Sequence, residues 1–323
     1  MIDLIQLILE VLLKTNFMKS LSTIVLVFVT IIFVGIQSLS AQDKPQKEYV
    51  YQTFKDTRII NTYSTETLQK GVLDFRVAHR FGDIFGVDAN GNWDVGNLWA
   101  NFLGFESAAD VGFGVEYGIT NNFMIGFHRT KGASELRSLL HLNAKYKFLS
   151  QTKDNSMPIS MAAAGVLTVS TMPPSADVNS LANFPGGFGQ RMIYSLHVLA
   201  GRKFGDVFSL QLSPGIVWRN LVKFNDNNLL VSMGVSAKVQ VNKVLGIIID
   251  SNIPFDQLRW SANSGYHIPI GIGFEFDTGG HVFQINLTNS AGIEPTDYIP
   301  NTNLNWADGQ FRIGFTISRG FRM

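Results

Sequence analysis

The feature that most constrains this chain is an alternation of apolar and polar residues that recurs along most of its length. The clearest segment has an apolar residue at every second position from Leu229 to Val241, with Ser232, Ser236 and Lys238 among the residues between them. Successive side chains of a β-strand point to opposite faces, so a period of two is typical of a strand with one apolar face. Such strands must pack this face against a second layer or turn it toward lipid.

The alternation predicts twelve strands, at 72–81, 109–118, 123–130, 138–148, 159–169, 191–203, 207–218, 229–241, 244–252, 266–277, 281–289 and 310–319. The links after even-numbered strands are mostly tight, whereas those after odd-numbered strands are mostly longer. Outer-membrane barrels pair short periplasmic turns with long external loops in this way. We therefore expect an all-β fold, a transmembrane antiparallel up-and-down β-barrel of about twelve strands over residues 71–323, with both ends of the barrel chain in the periplasm.

Composition supports a membrane barrel over a soluble domain. Hydrophobic residues make up 46% of the chain and charged residues only 16%, against roughly 25% charged in typical soluble domains. Beyond residue 41, no apolar run approaches the roughly 18 to 20 residues that a membrane helix needs. The net charge of +1 provides no basic field for nucleic acid. The absence of cysteine excludes disulfides, thiolate metal sites and a lipidated N-terminal cysteine.

The N-terminal region has the pattern of an export signal. Lys19 precedes an apolar run from Leu21 to Ile36, and small residues follow up to Ala41, so residues 18–41 are predicted to be a signal peptide. Residues 1–17 are interpreted as an upstream extension from a mis-chosen start codon. The alternative, an uncleaved anchor, requires a longer apolar run. We expect localisation to the outer membrane of a Gram-negative bacterium.

Aromatic residues lie near both ends of the predicted strands, as in barrels that place aromatic girdles at the two membrane interfaces. The expected periplasmic belt contains Tyr117, Phe123, Tyr146, Phe148, Phe204, Phe208, Phe276 and Phe283. The expected external belt contains Phe81, Trp218, Tyr266 and Phe311. A soluble β-sandwich, the alternative fold, does not require aromatic residues at both strand ends.

Three stretches resemble a known family. They are Thr53–Asn61 with the strand that ends in His79-Arg80-Phe81-Gly82, the segment ending in Glu116-Tyr117-Gly118-Ile119-Thr120, and the C-terminal strands around the loop Asn289–Asn301. Together they are similar to an uncharacterised family of bacterial outer-membrane β-barrel proteins that is classed as a domain of unknown function. The resemblance covers most of residues 50–323. It implies a barrel in the outer membrane and brings no assigned activity.

The inward phase of the strands carries charges of both signs. The candidate lumen-lining residues are Asp74, Arg76, Glu116, His141, Lys145, Lys147, His197, Lys203, Lys238, Glu275, Asp277 and Arg312. They either bridge across the lumen and close it, or line a hydrated channel. Inward glycines at 112, 114, 234, 271, 273 and 314 leave room for water or for an inserted segment.

The polar segment 42–70 precedes the first strand and has two interpretations. It is either a periplasmic tail or a plug that folds into the lumen. In the plug interpretation, Arg58 pairs with Glu116, Glu275 or Asp277.

Catalytic and metal-binding patterns are weak. The six histidines lack metal-site spacing, and neither a Gly-x-Ser-x-Gly elbow nor the pattern of barrel phospholipases is present. We therefore predict no catalytic residues, metal or other cofactor. The leading hypothesis is a passive channel or transporter for a small solute, with outer-membrane lipid as its surroundings. The alternatives are a structural or binding barrel with a closed lumen whose external loops contact a partner, and an outer-membrane enzyme. The sequence leaves the oligomeric state open.

Overall fold

The computed structural model describes residues 48–86, 93–261 and 264–323. Its strands are β1 (Val72–Asp83), β2 (Ala108–Gly118), β3 (Phe123–Thr130), β4 (Leu139–Leu149), β5 (Ser160–Ser170), β6 (Met192–Phe204), β7 (Phe208–Arg219), β8 (Leu229–Gln240), β9 (Leu245–Phe255), β10 (Ile270–Asp277), β11 (His281–Thr288) and β12 (Arg312–Arg322). Among the described residues, three short α-helices lie in the links, α1 (Val95–Ala100), α2 (Gln257–Trp260) and α3 (Pro295–Asn301). The predicted signal peptide and residues 1–17 lie outside the described residues.

The twelve strands form one closed barrel. Each strand pairs antiparallel with its neighbours in sequence, and β1 closes the sheet against β12, with Val72 opposite Arg322 and Arg80 opposite Gly314. The predicted fold class is therefore confirmed. Closure matters because lipid offers no partner to backbone N–H and C=O groups, so an open sheet edge is not viable in the hydrocarbon layer. Among the described helices, none is long and apolar enough to cross a membrane.

The alternation predicted from the sequence is observed as two faces of the wall. On the outward face, large apolar side chains such as Phe113, Leu142, Phe274 and Ile285 are about half exposed. On the inward face, the neighbouring residues are polar and buried, for example Glu116. The apolar surface therefore faces lipid, and the interior is hydrophilic.

The barrel has two distinct ends. The turn end carries the links after β2, β4, β6, β8 and β10 together with the start of β1 and the end of β12; the loop end carries the longer links. At the turn end, Phe123 lies 6.5 Å from Tyr146, and Phe204 lies 5.7 Å from Phe208, between ring centroids. At the loop end, Phe311 stacks on Trp306 at 4.8 Å.

The largest error among the predicted strand boundaries is at the start of the tenth strand. The alternation placed the start of the tenth strand at residue 266, but β10 begins at Ile270. Pro269 has no N–H to donate to a sheet ladder, and the N–H of His267 donates to the carbonyl of Thr302 at 2.9 Å in the loop region. Tyr266, expected in the external belt, instead lies beneath the Arg259 guanidinium. The central carbon of that guanidinium is 4.7 Å from the centroid of the tyrosine ring.

The outward face yields a prediction for two matched arginine substitutions on β8. Val235 lies at mid-strand and Leu229 is the first residue of the strand at the loop end, and both face outward. An arginine at the bilayer midplane costs about 2–4 kcal/mol, falling to about 0–1 kcal/mol near the interface. We expect Val235→Arg to lower the free energy of unfolding in liposomes by the larger amount and Leu229→Arg to lower it by the smaller amount. Equal losses would contradict the assigned depth of β8.

Candidate functional site

A re-entrant segment of the chain lies within the barrel. Residues 53–66, which we call the N-terminal insert, are buried almost without exception. The segment starts at the turn end, where Ser209 Oγ donates to the carbonyl of Thr53 at 2.6 Å. It returns there, where Lys147 Nζ lies 3.3 Å from Glu66 Oε2. Its contacts reach inward residues of β1, β2, β4, β7, β8, β9 and β11, so the insert occupies the lumen.

The tip of the N-terminal insert is held by one carboxylate on β9. Asp250 Oδ2 accepts hydrogen bonds from the backbone N–H groups of Ile60, Asn61 and Thr62 at 3.1, 2.6 and 2.8 Å. The Asn61 side chain donates to Oδ1 of the same carboxylate at 2.8 Å. A tight turn leaves several N–H groups without intrachain partners, and a buried carboxylate satisfies them. Asp250 therefore anchors the turn at the tip of the insert.

The base of the N-terminal insert is held by charged residues of the wall. Arg76 Nη1 donates to Asp56 Oδ2 at 2.7 Å, and Lys145 Nζ donates to the carbonyls of Thr57 and Ser64 at 2.8 and 3.1 Å. Since Lys145 bridges the two arms of the insert, it holds the hairpin closed.

A second segment enters the lumen from the loop end. Residues 290–302, which we call the loop insert, connect β11 to β12 and contain α3, and most of them are buried. Thr296 and Thr168 of β5 have hydroxyl oxygens 2.6 Å apart. Asn252 of β9 donates to the Tyr298 hydroxyl at 3.0 Å. Tyr298 and Ile299 also pack in an apolar cluster with residues such as Leu139 at the loop end.

The two inserts meet at an ion pair. Arg58 Nη1 lies 2.7 Å from Glu294 Oε1 of the loop insert, and a second carboxylate, that of Glu116 on β2, lies 3.5 Å from Arg58 Nη2. The Tyr63 hydroxyl accepts from Arg58 at 2.9 Å and donates to Glu294 at 3.0 Å. All four side chains are buried.

The charge state of Glu294 follows from this geometry. Burial by itself would raise the pKa of the carboxyl, but the facing Arg58 guanidinium, with smaller contributions from His141 and His128, lowers the pKa to about 2. Glu294 is therefore ionised at neutral pH and forms a full ion pair with Arg58.

Most of the candidate residues from the sequence are placed inward. Asp74, Arg76, Glu116, His141, Lys145, His197, Lys238, Glu275 and Arg312 are buried. Lys147, Lys203 and Asp277 lie at the turn end and are partly exposed. Of the three partners expected for Arg58, the structure brings only Glu116 close. Glu275 pairs with Lys238, and Asp277 pairs with Lys55 of the N-terminal insert.

Several residues of this site carry little or no signal in the sequence. Asp250 is one acid within an otherwise apolar run, Ile247-Ile248-Ile249, and its inward phase was the only available signal. Glu294 lies in a loop that had been expected to be external, and no local pattern marks it as buried. His128 also lies inward, with Nε2 3.2 Å from Glu116.

Two of the inward glycines are explained by the inserts. A Cβ at Gly271 would lie 2.7 Å from Ile60 Cγ2 of the N-terminal insert, and one at Gly112 would lie 3.0 Å from Ile293 Cδ1 of the loop insert. Glycine at these two positions lets side chains of the inserts pack closely against the wall. The room left by these two glycines is filled by protein.

A closed twelve-stranded barrel with an apolar outer wall and a polar, occupied lumen defines the class of membrane-spanning β-barrel proteins. The chain belongs to the DUF5777 family, described as a membrane bound beta barrel domain, whose model matches residues 54–321. Among curated proteins, none shows a significant match to the sequence.

Solved structures that match the chain include outer-membrane porins and channels. The KdgM porin is 8% identical with a TM-score of 0.44, and the match covers 77% of this chain and 99% of that one. The NanC porin is 8% identical with a TM-score of 0.43, covering 78% and 100%. An outer-membrane channel from Pseudomonas putida F1 is 15% identical with a TM-score of 0.41, covering 80% and 98%.

The Arg58–Glu294 pair predicts a large loss of stability on substitution of one partner. Arg58→Met leaves two buried carboxylates without their guanidinium, and removal of one member of a buried pair typically costs about 3–5 kcal/mol. Denaturant unfolding in detergent measures the loss. Arg58→Met combined with Glu294→Gln should lose less than Arg58→Met alone.

The matched control is Lys153→Met, because Lys153 pairs with Glu48 while both side chains are mostly exposed. Such surface pairs contribute at most about 1 kcal/mol. Equal losses for Arg58→Met and Lys153→Met would contradict a stabilising role for the contact between the inserts.

The lowered pKa of Glu294 predicts a defined pH dependence. Because the pKa in the folded state, about 2, lies below the ordinary value of 4.5, the stabilisation by ionised Glu294 is fully present above pH 4.5 and lost as the pH falls toward 2. The difference in unfolding midpoint between the wild type and Glu294→Gln should shrink across that window. A difference that stays constant from pH 6 to pH 2 would contradict the assignment.

Proposed function

We propose that this protein is an outer-membrane channel for a small solute in which the two inserts form a displaceable plug. The turn end would face the periplasm and the loop end the exterior, as short turns and long loops are arranged in outer-membrane barrels. In this proposal the chain is a channel and has no enzymatic activity.

The observation that carries the proposal is how the lumen is filled. About eight strands suffice for a barrel whose wall side chains fill its interior, and larger barrels enclose a cavity or channel. This barrel has twelve strands, and its lumen is filled by the N-terminal insert and the loop insert. A barrel that served only as a closed scaffold would not need the additional strands.

The contacts of the N-terminal insert with the wall support displacement. They are mainly hydrogen bonds and ion pairs, such as those from Arg76, Lys145 and Asp250. Polar groups of the wall can exchange these partners for water, whereas a wall lined with apolar side chains could not be hydrated at comparable cost. Once the insert moves, a lumen with charges of both signs remains as a hydrated path for a polar solute.

The alternative is a closed barrel whose loops contact a partner. It is favoured by the burial of both inserts, since the ion pair between Arg58 and Glu294 joins them near the middle of the lumen. Channel and closed scaffold differ in whether either insert can move.

Two disulfide locks test this difference, and the chain has no native cysteine that would interfere. Thr62 of the N-terminal insert and Ser236 of β8 have hydroxyl oxygens 2.9 Å apart, and Thr296 of the loop insert and Thr168 of β5 have theirs 2.6 Å apart. These separations place each pair of side chains in contact, as a disulfide requires. The variants are Thr62→Cys/Ser236→Cys and Thr168→Cys/Thr296→Cys.

We expect the Thr62→Cys/Ser236→Cys lock to abolish solute flux in proteoliposomes when oxidised and to restore it on reduction. The Thr168→Cys/Thr296→Cys lock reports whether the loop insert has to move as well. Swelling assays with sugars, amino acids and ions measure flux, and the single-cysteine variants are the controls for the oxidant. If neither the wild type nor a variant lacking residues 53–66 conducts any solute, the closed barrel is correct.

A further inference from the structure

Two cations lie on the lipid-facing surface of the barrel at the loop end. Arg129 is the next-to-last residue of β3 and pairs with outward Phe113 and Leu140. Lys131 follows the strand, and its N–H donates to the carbonyl of Val111 at 2.9 Å. Val111 in turn pairs with His79 of β1. These pairings put His79, Val111 and Lys131 in one row across the sheet. Since neighbouring strands lie about 4.8 Å apart, His79 and Lys131 are about 10 Å from each other.

Neither cation has a carboxylate partner in the part of the chain that the structure describes. Over residues 48–86, 93–261 and 264–323, no carboxylate lies within 4.0 Å of the Arg129 or Lys131 nitrogens. The Lys131 ammonium donates to the carbonyl of Ala108 at 3.2 Å. By contrast, the loop-end cations Arg219 and Arg259 both pair with Asp226.

An apolar groove runs along the outer wall and ends at β1, two strands away from the strand that carries Arg129. It crosses β10, β11, β12 and the loop end of β1, and its aromatic lining consists of Phe81, Phe105, Phe276, Phe283 and Phe315. It extends from Phe81 near the loop end to Phe276 near the turn end, and so follows the full apolar band of the wall. The ring of His79 lies 4.1 Å from that of Phe81 and stacks at 5.7 Å on that of Phe315. His79 therefore lies between the groove and Lys131 on the outer surface.

We propose that this surface binds a phosphorylated lipid of the membrane leaflet at the loop end. Arg129 and Lys131 contact the phosphate, and the groove receives an acyl chain. Charge complementarity supports this occupant, because each basic residue at a membrane surface attracts anionic headgroups. The groove supplies the apolar part of the same ligand. The site goes beyond the proposed channel function and does not depend on conduction.

The test is native mass spectrometry of the full chain in detergent, titrated with diphosphorylated lipid A. The test variant is Arg129→Gln/Lys131→Gln, and we expect its affinity to fall about tenfold or more. The control is Lys223→Gln, which removes an exposed cation of the link between β7 and β8 that, unlike Arg129 and Lys131, has a carboxylate partner, Glu135. The control should bind as the wild type does. Heat-dependent electrophoretic mobility shows whether each variant is folded.

Two further titrations identify the ligand. The dephosphorylated lipid should bind the wild type more weakly, and Phe315→Ala should weaken binding of the intact lipid by removing part of the aromatic lining of the groove. Undiminished binding to folded Arg129→Gln/Lys131→Gln would overturn the proposal. Displacement of the lipid by an equal concentration of inorganic phosphate would also overturn it, since it would assign the site to free phosphate.

Discussion

The structure depends on one constraint, that every backbone N–H and C=O group of the wall must find a partner within the protein when lipid surrounds it. The pairing of β1 with β12 meets this constraint by removing the last sheet edge. Closure of twelve strands creates an interior that wall side chains alone do not fill. The N-terminal insert and the loop insert occupy that interior, and the wall residues that hold them are polar because the inserts present backbone groups and charges. The polar lumen is thus a consequence of closing a large sheet.

The two inserts form a connected network. Asp250 holds the tip of the N-terminal insert, Arg76 and Lys145 hold its base, and Arg58 joins it to Glu294 of the loop insert. Buried ion pairs are weak evidence for stability, because desolvation offsets much of the Coulombic attraction. A polar network inside a membrane barrel is more easily understood if it has to open, since water can replace each polar partner. The same network gives the two inserts a defined geometry.

The outer surface is less uniform than an apolar band. Its aromatic groove ends at β1, and Arg129 and Lys131 lie at the loop end of β3, with β2 between them, so one side of the barrel carries both an apolar groove and two cations. Lumen and outer wall therefore present separate chemistries: the lumen pairs its charges within the protein, whereas the lipid-facing cations have no carboxylate partner among the described residues. Alternation along β1 and β3 produces both surfaces from the same strands.

The sequence by itself determined the barrel, because the alternation of side chains is a local property that a strand carries with it. It predicted the number of strands, most of their boundaries and the inward phase of residues such as Glu116 and Lys145. It failed at Tyr266, where Pro269 interrupts the ladder. Only the tertiary structure decided that Glu294 lies in the lumen, since nothing local marks a loop that folds back inside. Likewise, the contacts of Arg58 depend on residues that closure of the sheet brings together from distant parts of the chain. The periodicity of the sequence does not predict such long-range contacts.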